Sequence, residues 1–218
     1  MLSLNFSHHK ISPLKVLCLG AHSDDIEIGC GGTILRLLSA STNVEVVWVV
    51  FGVSNNAERE KEARNSAALF LANARTSEVI VGDFRDGFLP FDGARAKDFI
   101  ERFKAVEPDL ILTHSRKDAH QDHRLIAELT WNTFRNHFIL EYEIPKYDGD
   151  LGQPNVFVPL EREICERKIQ CLMDAFATQR SKQWFERETF LALMRLRGME
   201  CIAPSGYAEA FYSRKLVL

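Results

Sequence analysis

Short apolar runs alternate with helix-period patterns along the first two thirds of the chain. Residues 16–19 (VLCL) predict a strand, and Ile34, Leu35, Leu37 and Leu38 then mark the inward face of a helix. Residues 44–51 (VEVVWVVF) are β-branched and aromatic almost throughout, as in a strand covered on both faces. Residues 58–71 start charged, turn rich in Ala and Leu, and predict a helix; residues 78–81 predict a third strand. Over 94–106, Phe99, Ile100, Phe103 and Val106 share one side of a helix that Pro108 ends. A fourth strand is expected at 110–113. A helix over 122–134 turns Leu125, Ile126 and Leu129 inward, and a fifth strand follows at 138–142. This repetition predicts an α/β fold: a Rossmann-like three-layer fold, with a mostly parallel sheet doubly wound by right-handed crossovers and helices on both faces.

The last third reads differently. Residues 145–159 (PKYDGDLGQPNVFVP) are rich in Pro, Gly and Asp and predict a loop, either a lid or an irregular crossing. Helices are expected over 161–176 and 186–197, and a final strand over 208–213. There is no internal repeat. The expectation is one domain over 1–218, with 144–218 forming loops and helices that cover the site.

Composition narrows the partners. A net charge of −3 and a pI near 6.2 leave no basic excess to neutralise phosphates, which argues against nucleic acid or an anionic membrane as the main partner. No apolar run approaches the roughly 18 residues of a membrane span. The start, MLSLNFSHHK, lacks the basic and apolar regions of a signal peptide. Five scattered cysteines form no CxxC pair and read as reduced thiols of a cytoplasmic protein, with Cys18 in the core.

The chemistry sits at the predicted strand ends. After the first strand come His22, Asp24 and Asp25; after the second Ser54, Asn55 and Asn56; after the third Asp83, Arg85 and Asp86; after the fourth His114, Asp118, His120, Asp122 and His123. In a parallel sheet these loops emerge on one edge, where ligands bind. His22 and Asp25, three apart, can face one ion, and His123 can supply a third ligand. A His/Asp/His set with an open position is the pattern of a catalytic zinc site. A cation also explains how adjacent carboxylates stay ionised together, because without one a close pair pushes a pKa up. Each motif alone has a plainer reading: Asp24-Asp25 as a solvated turn, His120 and His123 as a helix surface. Both at one sheet edge favour the metal.

The rival class is a nucleotide- or sugar-binding Rossmann-like module without hydrolase activity. Gly29-Cys30-Gly31-Gly32 follows a strand, but G-x-G-x-x-G fails at Ile34, and the acids before it would repel a pyrophosphate. These glycines suit close packing of a helix on the sheet. Phosphoester hydrolysis at a two-metal site needs more bridging carboxylates than can be assembled here.

At these residues the chain resembles the LmbE-like, or PIG-L, zinc-dependent N-deacetylases. Their AHPDDE motif with a following GGT stands here as Ala21-His22-Ser23-Asp24-Asp25-Ile26-Glu27 and Gly31-Gly32-Thr33; their HPDH stands as His120-Gln121-Asp122-His123. An RxxEA pattern matches Arg59, Glu62 and Ala63, a DG pair matches Asp86-Gly87, and Ala208-Glu209-Ala210-Phe211 resembles the family's ending. Ser23 replaces the usual proline, and Ile26 moves the acid to Glu27, which is assigned no chemistry. The resemblance implies removal of an N-acetyl group from an amino sugar or related glycoconjugate by attack of a zinc-bound water. It implies His22, Asp25 and His123 as zinc ligands, Asp24 as general base, His120 as oxyanion stabiliser, Asp122 as its orienter, and Arg59 and Asp86 as substrate contacts. His/Asp ligation does not discriminate strongly, so Fe2+ stands beside Zn2+. The expected partner is a small N-acetylated sugar; a homo-oligomer is left open.

Among the remaining residues, His8 and His9 read as a solvated arm and His137 as structural. His114 is either a support for the site or a packing histidine. Tyr142 and Tyr147 are either sugar-stacking rings or exposed loop residues, and Trp184 and Phe185 cover a core or an interface.

Overall fold

The computed structural model describes residues 12–53 and 56–217; His8, His9, Ser54 and Asn55 lie outside them. Seven strands form one sheet: β1 Leu14–Gly20, β2 Val44–Val50, β3 Thr76–Val81, β4 Leu110–His114, β5 Phe138–Tyr142, β6 Val156–Pro159 and β7 Ala208–Tyr212. Their order is β3-β2-β1-β4-β5-β7-β6. The first five run parallel, whereas β7 pairs antiparallel with β5 and with β6. The fold is therefore the expected α/β three-layer arrangement on a mostly parallel sheet. One expectation is corrected: the end of the 145–159 loop is the edge strand β6. Its VFVP was masked by the Pro, Gly and Asp before it, and Pro159 is tolerated because it ends a strand at the sheet edge.

The helices are α1 Asp25–Ala40, α2 Ala57–Phe70, α3 Gly93–Glu101, α4 Gln121–Thr133, α5 Arg162–Ala175 and α6 Arg187–Glu200. The helix expected over 94–106 changes to 3-10 geometry at Arg102–Val106. Strand alternation divides the core. Val16, Cys18, Val46, Trp48 and Val50 face a layer with α1, α2, α5 and α6, while Leu17, Leu19, Val49 and Phe51 face Ala96, Ile100 and Ile126 of α3 and α4. Phe185 belongs to the first layer. All five cysteines are free thiols, and Cys18 is fully buried. Among the described residues no helix is long and apolar enough to cross a membrane.

α1 is the central helix, buried over its first eleven residues. Glycine costs about 1 kcal/mol against alanine inside a helix, and the chain accepts that cost because a Cβ at Gly29 would strike the Tyr142 ring and one at Gly32 would strike Leu160 and Glu209. A buried ion pair fastens the same stretch. Lys168 Nζ donates to Ile28 O (2.6 Å) and Glu209 Oε1 (2.7 Å), while Gly32 N and Thr33 N donate to the Glu209 carboxylate at 2.8 and 2.6 Å. The family-like ending thus has a mechanical role: β7 holds α1.

Glu27 is also on α1, fully buried, and neither of its oxygens has a hydrogen-bond partner. Burial pushes its carboxyl from 4.5 up to about 8. The folded chain therefore keeps a proton that the unfolded chain releases near pH 4.5, so stability falls as pH rises between those values. Glu27→Gln removes this loss. Relative to wild type it is expected to gain about 2–3 kcal/mol between pH 5 and pH 7 in urea titrations. Parallel pH dependences of the two proteins would show that the carboxyl is already ionised in the fold.

Candidate active site

β1 and β4 are neighbours, yet the chain leaves β1 toward β2 and leaves β4 toward β5. The crevice between their carboxyl ends is the switch point of the sheet, where such folds bind ligands. Two segments far apart in sequence meet there. His22, Asp24 and Asp25 come from the β1–α1 turn, and His114, Asp118, His120, Asp122 and His123 come from the end of β4 to the start of α4. In the first segment, Asp25 Oδ2 accepts from His22 N (2.6 Å), which closes the turn. In the second, His120 is the N-cap of α4, and its Nδ1 accepts from Asp122 N (3.2 Å).

The three expected ligands converge. His22 Nδ1 lies 3.1 Å from His123 Nε2 and 3.3 Å from Asp25 Oδ2, and His123 Nε2 lies 3.5 Å from Asp25 Oδ1. Donors of a tetrahedral zinc, each about 2.0–2.1 Å from the ion, are separated by about 3.3 Å. The far sides of the rings decide where the lone pairs point. His22 Nε2 is 3.0 Å from Asp86 Oδ1 and 3.3 Å from Asp122 Oδ2, and His123 Nδ1 is 2.9 Å from Asp118 Oδ2. Asp118 fixes the His123 ring, whereas His22 faces carboxylates from both nitrogens, Asp25 from Nδ1 and Asp86 and Asp122 from Nε2; His22 Nδ1 and His123 Nε2 thus face each other beside Asp25. A cation or a proton must lie between them, and this donor set fits a divalent cation. Among the described residues three groups, His22/His120/His123, Asp25/His114/His123 and His22/Asp86/Asp122, each bring three donor atoms within 4.8 Å of one another.

Electrostatics within the site follow the same competition. Burial alone would lower His22, but Asp25, Asp122 and Asp86 hold it well above its usual value. Burial alone would raise Asp25, but His123, His114 and His22 hold it well below the carboxylate range. Burial, with His123 and His22 nearby, lowers His120. Burial, with His114 nearby, also lowers His123. Among the described residues, five carboxylates (Asp24, Asp25, Asp86, Asp118, Asp122) face the cationic side chains of Arg59, Lys146 and a charged His22, a balance that still favours a bound cation.

Asp24 is buried at the N-cap of α1, but its side chain caps nothing; Oδ1 takes Arg59 Nη2 at 3.0 Å. Arg59 and Asp86, implied as substrate contacts, are engaged with Asp24 and with His22. Asp122 was implied to orient His120. Its carboxylate turns elsewhere, accepting from Gly87 N (2.7 Å) and Leu89 N (3.2 Å) and touching His22, so only its backbone N–H meets His120. That N–H leaves the proton of a neutral His120 on Nε2, which makes the ring a donor without help from a carboxylate. His114 is buried against the site: its Nε2 accepts from Ala21 N (2.9 Å) and its ring stacks on His123. Tyr142 is not a stacking surface, because it is fully buried and its hydroxyl donates to Leu19 O (2.7 Å). Tyr147 is exposed, and His137 packs edge-on against Phe134.

Sequence reasoning assigned no role to Asp118. It is buried, bonds His123 through Oδ2, and accepts from His120 N (2.8 Å) and pairs with Lys146 Nζ (3.0 Å) through Oδ1. His123 holds it well below the carboxylate range against the opposing effect of burial. Its signal was only its place in a DxHxDH string. Asp118→Ala is expected to weaken metal affinity by roughly 10–100-fold in chelator competition; an unchanged affinity would show that packing alone aims His123.

The fold is α/β, and its switch point holds a donor set that could take a divalent cation. The family profile described as PIG-L: GlcNAc-PI de-N-acetylase matches residues 17–134, and the chain belongs to that family. The uncharacterized deacetylase YaiS of Escherichia coli strain K12 is 28% identical over 164 residues, 72% of this chain and 88% of that protein. Among solved structures, the N,N'-diacetylchitobiose deacetylase from Pyrococcus horikoshii superposes with a TM-score of 0.72 at 22% identity, covering 94% of this chain and 85% of that one. GalB, the 4-carboxy-2-hydroxymuconate hydratase of Pseudomonas putida KT2440, reaches the same TM-score at 19% identity, covering 94% and 98%. Both structures share the fold, so the reaction has to be argued from the family and the site.

Proposed function

We propose that the chain is a zinc-dependent N-deacetylase that removes the acetyl group of an N-acetylated amino sugar or related glycoconjugate. The observation that supports it best is the pair of imidazole nitrogens, His22 Nδ1 and His123 Nε2, 3.1 Å apart beside Asp25, next to a second carboxylate that this donor set does not use. A divalent cation bound there supplies Lewis acidity toward the acetyl carbonyl and makes water more acidic. His22, Asp25 and His123 hold it; Asp86, Asp122 and Asp118 fix the two rings. Asp24 takes the proton of the attacking water and returns it to the leaving amine. His120 donates from Nε2 to the oxygen on which negative charge develops. Two adjacent acids are needed because one is tied to the cation while the other moves a proton.

The test is acetate release by the zinc-loaded protein from a panel of N-acetylated sugars and sugar nucleotides. Activity that is lost on chelation and regained with zinc supports the reading. A metal-loaded protein that releases no acetate from any of them, but hydrates an unsaturated carboxylate, would replace it with the chemistry of GalB.

A further inference from the structure

The carboxylate assigned as base is held by contacts that run into the last third of the chain. Asn56 Oδ1 caps α2 by accepting from Arg59 N (3.0 Å), which sets the root of the arginine. The guanidinium then faces two buried carboxylates: Nη2 reaches Asp24 at 3.0 Å and Nη1 reaches Glu62 Oε2 at 3.1 Å. One positive charge is shared between two acids. Thr178, in the 3-10 turn Ala177–Gln179 after α5, relieves that competition. Its N–H donates to Glu62 Oε1 (2.8 Å) and its hydroxyl to Glu62 Oε2 (2.6 Å), while Arg59 Nη1 and Gln179 Nε2 donate to the hydroxyl oxygen at 3.2 and 3.0 Å.

We infer that Thr178 and Glu62 are positioning residues for the reaction: they lock Arg59 so that its guanidinium holds Asp24 where the base must stand. The inference rests on the reading of Asp24 as base. The alternative is that the cluster merely ties α2 to the turn. Against that stands the N-cap of α1, where an aspartate ordinarily gains about 1 kcal/mol by bonding its own helix. Asp24 forgoes that bond to face Arg59. Thr178 thereby makes the turn after α5 part of the catalytic apparatus, 154 positions beyond the residue it serves.

The test compares Thr178→Val, which keeps the shape and removes the hydroxyl, with Thr178→Ser, which restores it. Both are measured zinc-loaded, by steady-state kinetics and by crystallography. Thr178→Val is expected to lose roughly tenfold in kcat, the scale of one hydrogen bond to a charged group, with KM and zinc content unchanged; Thr178→Ser recovers the rate. The crystal of Thr178→Val should show the Asp24–Arg59 contact broken, and that of Thr178→Ser should keep it. Equal kcat in the two variants, or an intact contact in Thr178→Val, overturns the inference. If Thr178→Val does not fold, Glu62→Gln supplies the same two readouts. If wild type releases no acetate from any substrate, the deacetylase reading fails, and the crystallographic comparison still decides whether Thr178 holds Asp24.

Discussion

Asp24→Asn is expected to deacetylate about 10²–10⁴-fold more slowly than wild type while binding the same amount of zinc. The substitution is chosen for what it preserves. An asparagine oxygen can still accept from Arg59 Nη2, so the buried contact at 3.0 Å survives, and only the capacity to take a proton is lost. Asp25→Asn is the contrasting variant. It weakens the donor that lies 3.3–3.5 Å from both ligand imidazoles, so zinc leaves first and activity falls with it. Single-turnover acetate release together with metal analysis separates the two. Near-wild-type turnover in Asp24→Asn would transfer the role of base to another group and remove the reason for two adjacent acids.

Lys168→Met is expected to destabilise the fold by about 3–5 kcal/mol, because it leaves the Glu209 carboxylate buried without its cation. The effect is large because both partners are enclosed and the pair grips the backbone of α1. Ile28 O and Gly32 N, partners in an ordinary helix ladder, are contacted by Lys168 and Glu209 respectively. Urea titration of the zinc-free protein measures the loss without the contribution of the metal. The double variant Lys168→Met/Glu209→Met should recover much of it, since an apolar pair of similar volume removes the unpaired charge. A loss below about 1 kcal/mol in the single variant would show that water reaches the carboxylate and screens it.

Side chains of the site converge as expected where the geometry is local or follows from strand order. His22 and Asp25 are three apart in one turn, so their convergence requires only that turn. Their meeting with His123 needs only β1 and β4 to be parallel neighbours, which alternating strands and helices make the ordinary outcome. Directions of side chains were another matter. Asp122 lies in the HPDH-like string beside His120, yet its carboxylate turns to the amides of Gly87 and Leu89 and to the imidazole of His22, because those groups lie across the gap. Tyr142 ends a strand near the site, yet it points inward against Gly29.

The chain's pattern alone determined its main helices and every strand but β6, the sheet edge that bears the chemistry, and the residue types able to hold a cation there. These follow from periods of two and of three to four residues, which report the face a side chain takes within its own element. Packing alone decided that β6 and β7 run antiparallel, that Lys168 meets Glu209 along α1, and that Thr178 reaches Glu62 from 116 positions away. A residue's period says which way it faces; only the assembled fold determines what stands opposite, because that partner comes from a distant segment placed there by volume and charge.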